Sequence, residues 1–175
     1  SVLSGQYILT ATGEGGCFVT DTFYVAQPTD LVLSLDSLDN LVCNGFSDGK
    51  AFTSGSGGTA PYTYLWSDGT TSNNNLALTS GFHQLILTDN NGCEDSLSVF
   101  IDELNPIVVS HTWDSVSCFG LSDGSASVLA TGGGGSFTYL WSTGDTVTSL
   151  TNLSADLYQV TVTDTFNCQR IDSIP

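Results

Sequence analysis

Pro61-Tyr62-Thr63-Tyr64-Leu65-Trp66-Ser67 is the stretch on which the fold turns. Successive side chains of an extended chain point to opposite faces, so Tyr62, Tyr64 and Trp66 share one face and Thr63, Leu65 and Ser67 the other. This predicts a strand whose aromatic face meets a second sheet. The stretch returns as Thr138-Tyr139-Leu140-Trp141-Ser142, and the residues on either side return with it.

Sliding residues 111–173 onto 36–98 without a gap gives 22 identities in 63 positions. Cys43-Asn44-Gly45-Phe46-Ser47-Asp48-Gly49 meets Cys118-Phe119-Gly120-Leu121-Ser122-Asp123-Gly124, and Thr88-Asp89 with Cys93 meets Thr163-Asp164 with Cys168. Residues 1–27 fit the end of an earlier copy, since Gly5 to Cys17 spans the same distance as Gly81 to Cys93. A tandem array is expected, with units 1–27, 28–103 and 104–175, divided near Gln27-Pro28 and Glu103-Leu104-Asn105-Pro106, where proline interrupts the strand pattern. The first unit supplies two strands, which cannot hold a fold in water by themselves. Methionine is absent even at position 1, and no signal peptide opens the chain, so an internal or mature piece is expected.

Composition fits an all-β chain. Ser (23), Thr (22), Asn (10) and Gly (19) supply about two fifths of the 175 residues, yet 40% are hydrophobic and 10% aromatic, enough for a core. Two basic against 18 acidic residues give a formal charge of −16, which excludes nucleic acid as a partner and disfavours anionic membranes. No run approaches the length of a membrane span, as Leu85-Ile86-Leu87 is cut at once by Thr88-Asp89.

Each full copy reads as seven short strands, in the first at 31–36, 40–43, 50–54, 62–67, 75–78, 83–88 and 95–101. Ser47-Asp48-Gly49, Gly57-Gly58, Asp68-Gly69 and Asn91-Gly92 supply the turns between them. Five cysteines without a CxxC or CxxH pair argue for disulfides in an oxidising, extracellular compartment. The doubled spacing of 50 residues predicts Cys43–Cys93 and Cys118–Cys168, one bridge per copy, with Cys17 left over. A bridge closing such a loop contributes on the order of 4 kcal/mol, and losing it is expected to unfold its copy.

The Cys-Asn-Gly-x-Ser-Asp-Gly run from Cys43, Gly57-Gly58, Pro61 to Ser67, Gly81, and Thr88-Asp89-Asn90-Asn91-Gly92-Cys93 together resemble the SprB repeat. Copy two departs from the pattern at Ser136-Phe137 and Phe166-Asn167, both in turns. The resemblance implies Ig-like β-sandwich repeats stacked into the stalk of a long surface adhesin, exported by the type IX route in gliding and related Bacteroidota. It brings no catalytic residues.

Other chemistry is weaker in the residues. His83 and His111 face Tyr158 and Asp36 in the alignment, so neither is a repeated feature, and no Gly-x-Ser-x-Gly elbow supports a triad. Calcium is the more serious possibility, because 15 of the 18 acids are Asp. Asp48 and Asp123 are its candidates within the copies, and Asp102 and Glu103 at the junction, although Ser-Asp-Gly is first a turn signal. Gly132 to Gly135 lacks the Lys and helix of a phosphate loop, Lys50 faces Ser125 and so marks no isopeptide, and Asn152-Leu153-Ser154 is a glycosylation sequon in form alone. Trp66 and Trp141 are expected in the core rather than on a sugar platform. The leading expectation is a non-catalytic stalk segment whose partners are neighbouring repeats. The alternatives are a module binding surface polysaccharide or calcium, an accessory region of an enzyme, and a strand-complemented filament subunit.

Overall fold

A computed structural model describes residues 2–175, all of whose regular elements are strands. The hairpin β1 (Gly5–Thr12) and β2 (Phe18–Val25) pairs only with itself. Next come β3 (Val32–Asp39), β4 (Gly49–Ser56), β5 (Thr63–Trp66), β6 (Asn75–Leu78), β7 (Gly81–Thr88) and β8 (Glu94–Ile101), in two antiparallel sheets of order β3-β4-β6 and β5-β7-β8. The plan repeats in β9 (Val108–Asp114), β10 (Gly124–Thr131), β11 (Thr138–Trp141), β12 (Ser149–Leu153), β13 (Tyr158–Thr163) and β14 (Gln169–Ile174), as β9-β10-β12 and β11-β13-β14.

Both sheets of each repeat feed one core, which makes each an antiparallel β-sandwich of the class the sequence predicts. Leu33, Ala51 and Leu78 from one sheet meet Trp66, Leu85, Leu87, Val99 and Ile101 from the other. In the second repeat Ala126, Val128, Ala130 and Leu150 meet Trp141, Val160, Val162 and Ile174. The two cores share no residue. Trp66 and Trp141 are each 2% exposed, while their strand neighbours Leu65 and Leu140 face solvent, as alternation requires. Each indole N–H donates to a loop carbonyl, Ser72 at 2.9 Å and Val147 at 2.7 Å, so neither buried donor is orphaned.

The hairpin β1–β2 has the register of β7–β8. Gly5 opposes Val25 and Thr12 opposes Phe18, just as Gly81 opposes Ile101 and Thr88 opposes Glu94. Leu9 and Phe23, at the places of core residues Leu85 and Val99, are exposed, because no second sheet covers them.

The structure corrects three expectations. Residues 40–43 form no strand, so each sandwich has six strands rather than seven: Leu41 N–H bonds Asp102 C=O at 3.0 Å, but no ladder follows. The alignment of the copies is not gapless at its start. Asp36 is an extra residue bulged from β3, so Leu35 opposes Thr53 where His111 opposes the equivalent Val128, and His111 answers to Leu35 rather than Asp36.

The third correction concerns the disulfides. Cys43 is bonded to Cys168, across 125 residues, and Cys17, Cys93 and Cys118 are free and exposed. The bridges Cys43–Cys93 and Cys118–Cys168 do not form because the two cysteines of one repeat sit at opposite poles of their sandwich. Cys93 lies just before the 8-residue strand β8, whereas the Cys43 loop is tied through Leu41 to Asp102 just after it. Such a strand spans roughly 26 Å at about 3.3 Å per residue, and a disulfide needs Cα atoms within about 7 Å. The far pole of one repeat does meet the near pole of the next, and there Cys43 and Cys168 stand with Cα atoms 5.6 Å apart.

Candidate functional site

The meeting of the two poles is the most constructed place in the molecule. Its upstream side is the loop Cys43-Asn44-Gly45-Phe46, which grips the linker between the sandwiches. Asn44 Nδ2 donates to Leu104 C=O at 3.2 Å, and the Gly45 N–H donates to Glu103 Oε2 at 3.1 Å. A cleft of about 140 Å³ remains between Cys43, Phe46, Pro106, Ile107, Cys168 and Arg170.

Its downstream side is built from two turns and an aspartate. Gly133 N–H donates to Asn105 C=O at 3.0 Å, as Gly58 donates to Thr29 at 2.8 Å at the head of the first sandwich. The neighbouring glycine is required in both repeats: at Gly57 (φ +73°) a Cβ would lie 1.8 Å from Asp30 C=O, and at Gly132 (φ +78°) 2.1 Å from Pro106 C=O. The Gly-Gly pairs therefore seat the linker as well as turning the chain.

Asp164 fixes the cysteine turn. Its buried carboxylate accepts N–H bonds from Gly134 (2.8 Å), Phe166 (2.9 Å) and Cys168 (3.0 Å), and Asp89 accepts from Thr59 (2.9 Å), Asn91 (2.8 Å) and Cys93 (2.9 Å). Burial resists ionisation of Asp164, but the N–H groups of Gly134, Cys168 and Phe166 outweigh it and hold the carboxyl below its ordinary value. Asp89 is lowered chiefly by the Cys93 N–H, against burial and with help from Thr59, Asn91 and Gly92. Both groups have folded pKa values below their unfolded ones. Their contribution is therefore full above the unfolded carboxyl value of about 3.9 and is lost as pH falls through the lowered values. Thermal melts from pH 7 downward are expected to show that loss. Asp164→Asn should flatten it for peptides of 104–175 in hydrogen exchange while leaving 28–103 unchanged; an unaltered pH response would contradict the assignment.

The calcium candidates are scattered. Asp123 accepts both the N–H (3.0 Å) and the hydroxyl (2.6 Å) of Ser117, and the Ser117 hydroxyl and then its N–H draw its pKa below the ordinary value. In the first repeat Val42 stands at the serine's place in the sequence, and Asp48 keeps one buried oxygen without a partner. Asp102 Oδ1 accepts from Glu103 N–H at 2.9 Å, while Glu103 serves the Cys43 loop. Among the described residues no three His, Cys, Asp or Glu converge as a metal cluster. His111 Nδ1 lies 2.7 Å from Asp172 Oδ2 on the side of the second sandwich, and His83 Nε2 lies 2.9 Å from Thr79 C=O.

Asn44, Glu103 as a loop clasp, and the pairing partner of Cys43 are what sequence reasoning missed. The available signal was the Pro-bearing linker placed one loop away from each cysteine. No curated protein matches the chain. The family model described as SprB repeat matches residues 36–71 and 111–146, each segment running from the first strand of a sandwich through its cysteine loop to just past its core tryptophan. Each of the two sandwiches thus carries a segment similar to the SprB repeat, and one disulfide joins the two sandwiches.

Proposed function

We propose that the segment is a tension-carrying spacer in the stalk of a secreted bacterial surface adhesin, made of units 1–27, 28–103 and 104–175, with adhesive specificity elsewhere in the parent protein. The single observation supporting it is the covalent tie between consecutive sandwiches, Cys43 to Cys168, at a junction that also clasps the linker. Repeats that each touch only their neighbours suit an extended stalk. Structural disulfides persist in oxidising compartments, which supports an extracellular location at the cell surface. The finer picture of type IX export, gliding motility or a filament follows the family resemblance.

Antibody raised against this segment is expected to label intact cells that produce it, and labelling confined to permeabilised cells would overturn the reading. The same chain on a glycan array, or titrated calorimetrically with calcium, is expected to give no binding. Saturable binding to polysaccharide or calcium would replace the spacer with a ligand-binding module.

A further inference from the structure

Cys93 and Cys118 stand where Cys168 and Cys43 stand, one repeat away. Cys93 occupies the β7–β8 turn as Cys168 occupies the β13–β14 turn, and its N–H is held by Asp89 as that of Cys168 is held by Asp164. Around it Thr29, Asp30, Leu31, Gly58 and Asp89 line a cleft of about 370 Å³, wider than the 140 Å³ left where the Cys43 loop sits against Cys168. At the other pole, Cys118 lies on the loop equivalent to that of Cys43. Beside it Phe119 is fully exposed and Leu121 is 46% exposed, an apolar tip beside a free thiol.

We propose that Cys93 and Cys118 are the two halves of the same inter-repeat bridge, each bonded to a further repeat of this kind: Cys93 to the loop cysteine of the repeat before it, Cys118 to the turn cysteine of the repeat after it. The occupant is specified by the junction on view, where the loop of one repeat enters the turn of the next. At the Cys93 end it is also specified by β1–β2, whose register is that of the last hairpin of a sandwich and whose exposed Leu9 and Phe23 lack a covering sheet. Each bridge forms by thiol–disulfide exchange with an oxidant of the oxidised-glutathione class. One thiolate attacks the oxidant and releases a first thiol, the second thiolate attacks the mixed disulfide and releases another, and two protons and two electrons leave the cysteines in all.

The inference rests on the spacer reading only for the presence of flanking repeats, and its test does not depend on cell-surface labelling. The test inserts a second copy of residues 28–103 between Glu103 and Leu104 of the full chain, so that one more repeat stands at a natural joint. After oxidation with glutathione, non-reduced peptide mapping of the parent chain is expected to give Cys43–Cys168 with thiols at Cys17, Cys93 and Cys118. The lengthened chain should give an additional Cys43–Cys93 peptide. Cys43→Ser in the first copy should abolish that peptide, whereas Cys93→Ser in the first copy should leave it. Loss in both variants would mean a bridge within one repeat and would overturn the proposal, as would an additional peptide joining Cys118 to Cys93. Hydrogen exchange on both variants confirms that the sandwiches remain folded.

Discussion

Replacing Trp141 with alanine is expected to destabilise the second repeat strongly and leave the first intact. The side chain is 2% exposed at the centre of a core drawn from both sheets, and truncating such an aromatic costs about 3–5 kcal/mol, part of it from the cavity left behind. A unit of this size has roughly 4–11 kcal/mol in total at 0.05–0.15 kcal/mol per residue, so the loss takes a large share. The indole N–H bond to Val147 C=O goes with it, and that loop loses its anchor. Because the two cores have no residue in common, hydrogen exchange should rise across residues 104–175 while peptides from β4, β7 and β8 stay protected. Trp66→Ala should give the mirror result, and loss of protection in both repeats from either change would show that they fold as one unit.

Reduction of Cys43–Cys168 is expected to change mechanics far more than folding. Neither cysteine belongs to either core, so both sandwiches should survive in reductant with the near-ultraviolet signature of Trp66 and Trp141 intact. This outcome differs from the one-bridge-per-copy expectation, under which each copy would unfold. Closing 125 residues restricts the unfolded chain by about 5 kcal/mol in the loop-entropy account, and that restriction acts on the two repeats jointly. Pulled from its ends, the oxidised chain transmits force through the sulfurs and shields what lies between them. Reduction should release roughly 400 Å of additional contour length, at about 3.3 Å per residue for the 125 residues spanned. Equal extensions with and without reductant, measured by single-molecule pulling, would show that the bridge does not span the repeats.

The fold was largely legible because alternation is a local property. Tyr62, Tyr64 and Trp66 declare their face within five residues, and Ser4-Gly5 through Cys17 declares a hairpin through its match to 80–93. The bulge at Asp36 was not legible, since one extra residue near the edge of an alignment costs few identities and is settled only by which residue opposes Thr53. Nor was the pairing of the cysteines, and the reason is arithmetic. In an array with a 75-residue period, a bridge spanning 50 residues and a bridge spanning 125 recur with the same regularity, so spacing cannot choose between them. The choice is made by where the poles lie: β8 carries the chain from the Cys93 turn to the far end before Asp102 and Leu41 meet. Asp89 and Asp164 were legible as repeated carboxylates, yet their task of holding a cysteine turn by three backbone N–H groups depends on a loop 30 residues upstream, Thr59 or Gly134.

The Cys43–Cys168 ring has one further consequence, for survival after damage. A protease that cuts a simple string of domains anywhere between two folded units severs it, and the outer part drifts away. Here a single cut at any peptide bond from Cys43 to Cys168, the linker at Leu104-Asn105 included, opens the ring without parting it, since the sulfurs still join what lies on either side. The joint between the two sandwiches is therefore one at which a first cleavage costs no material.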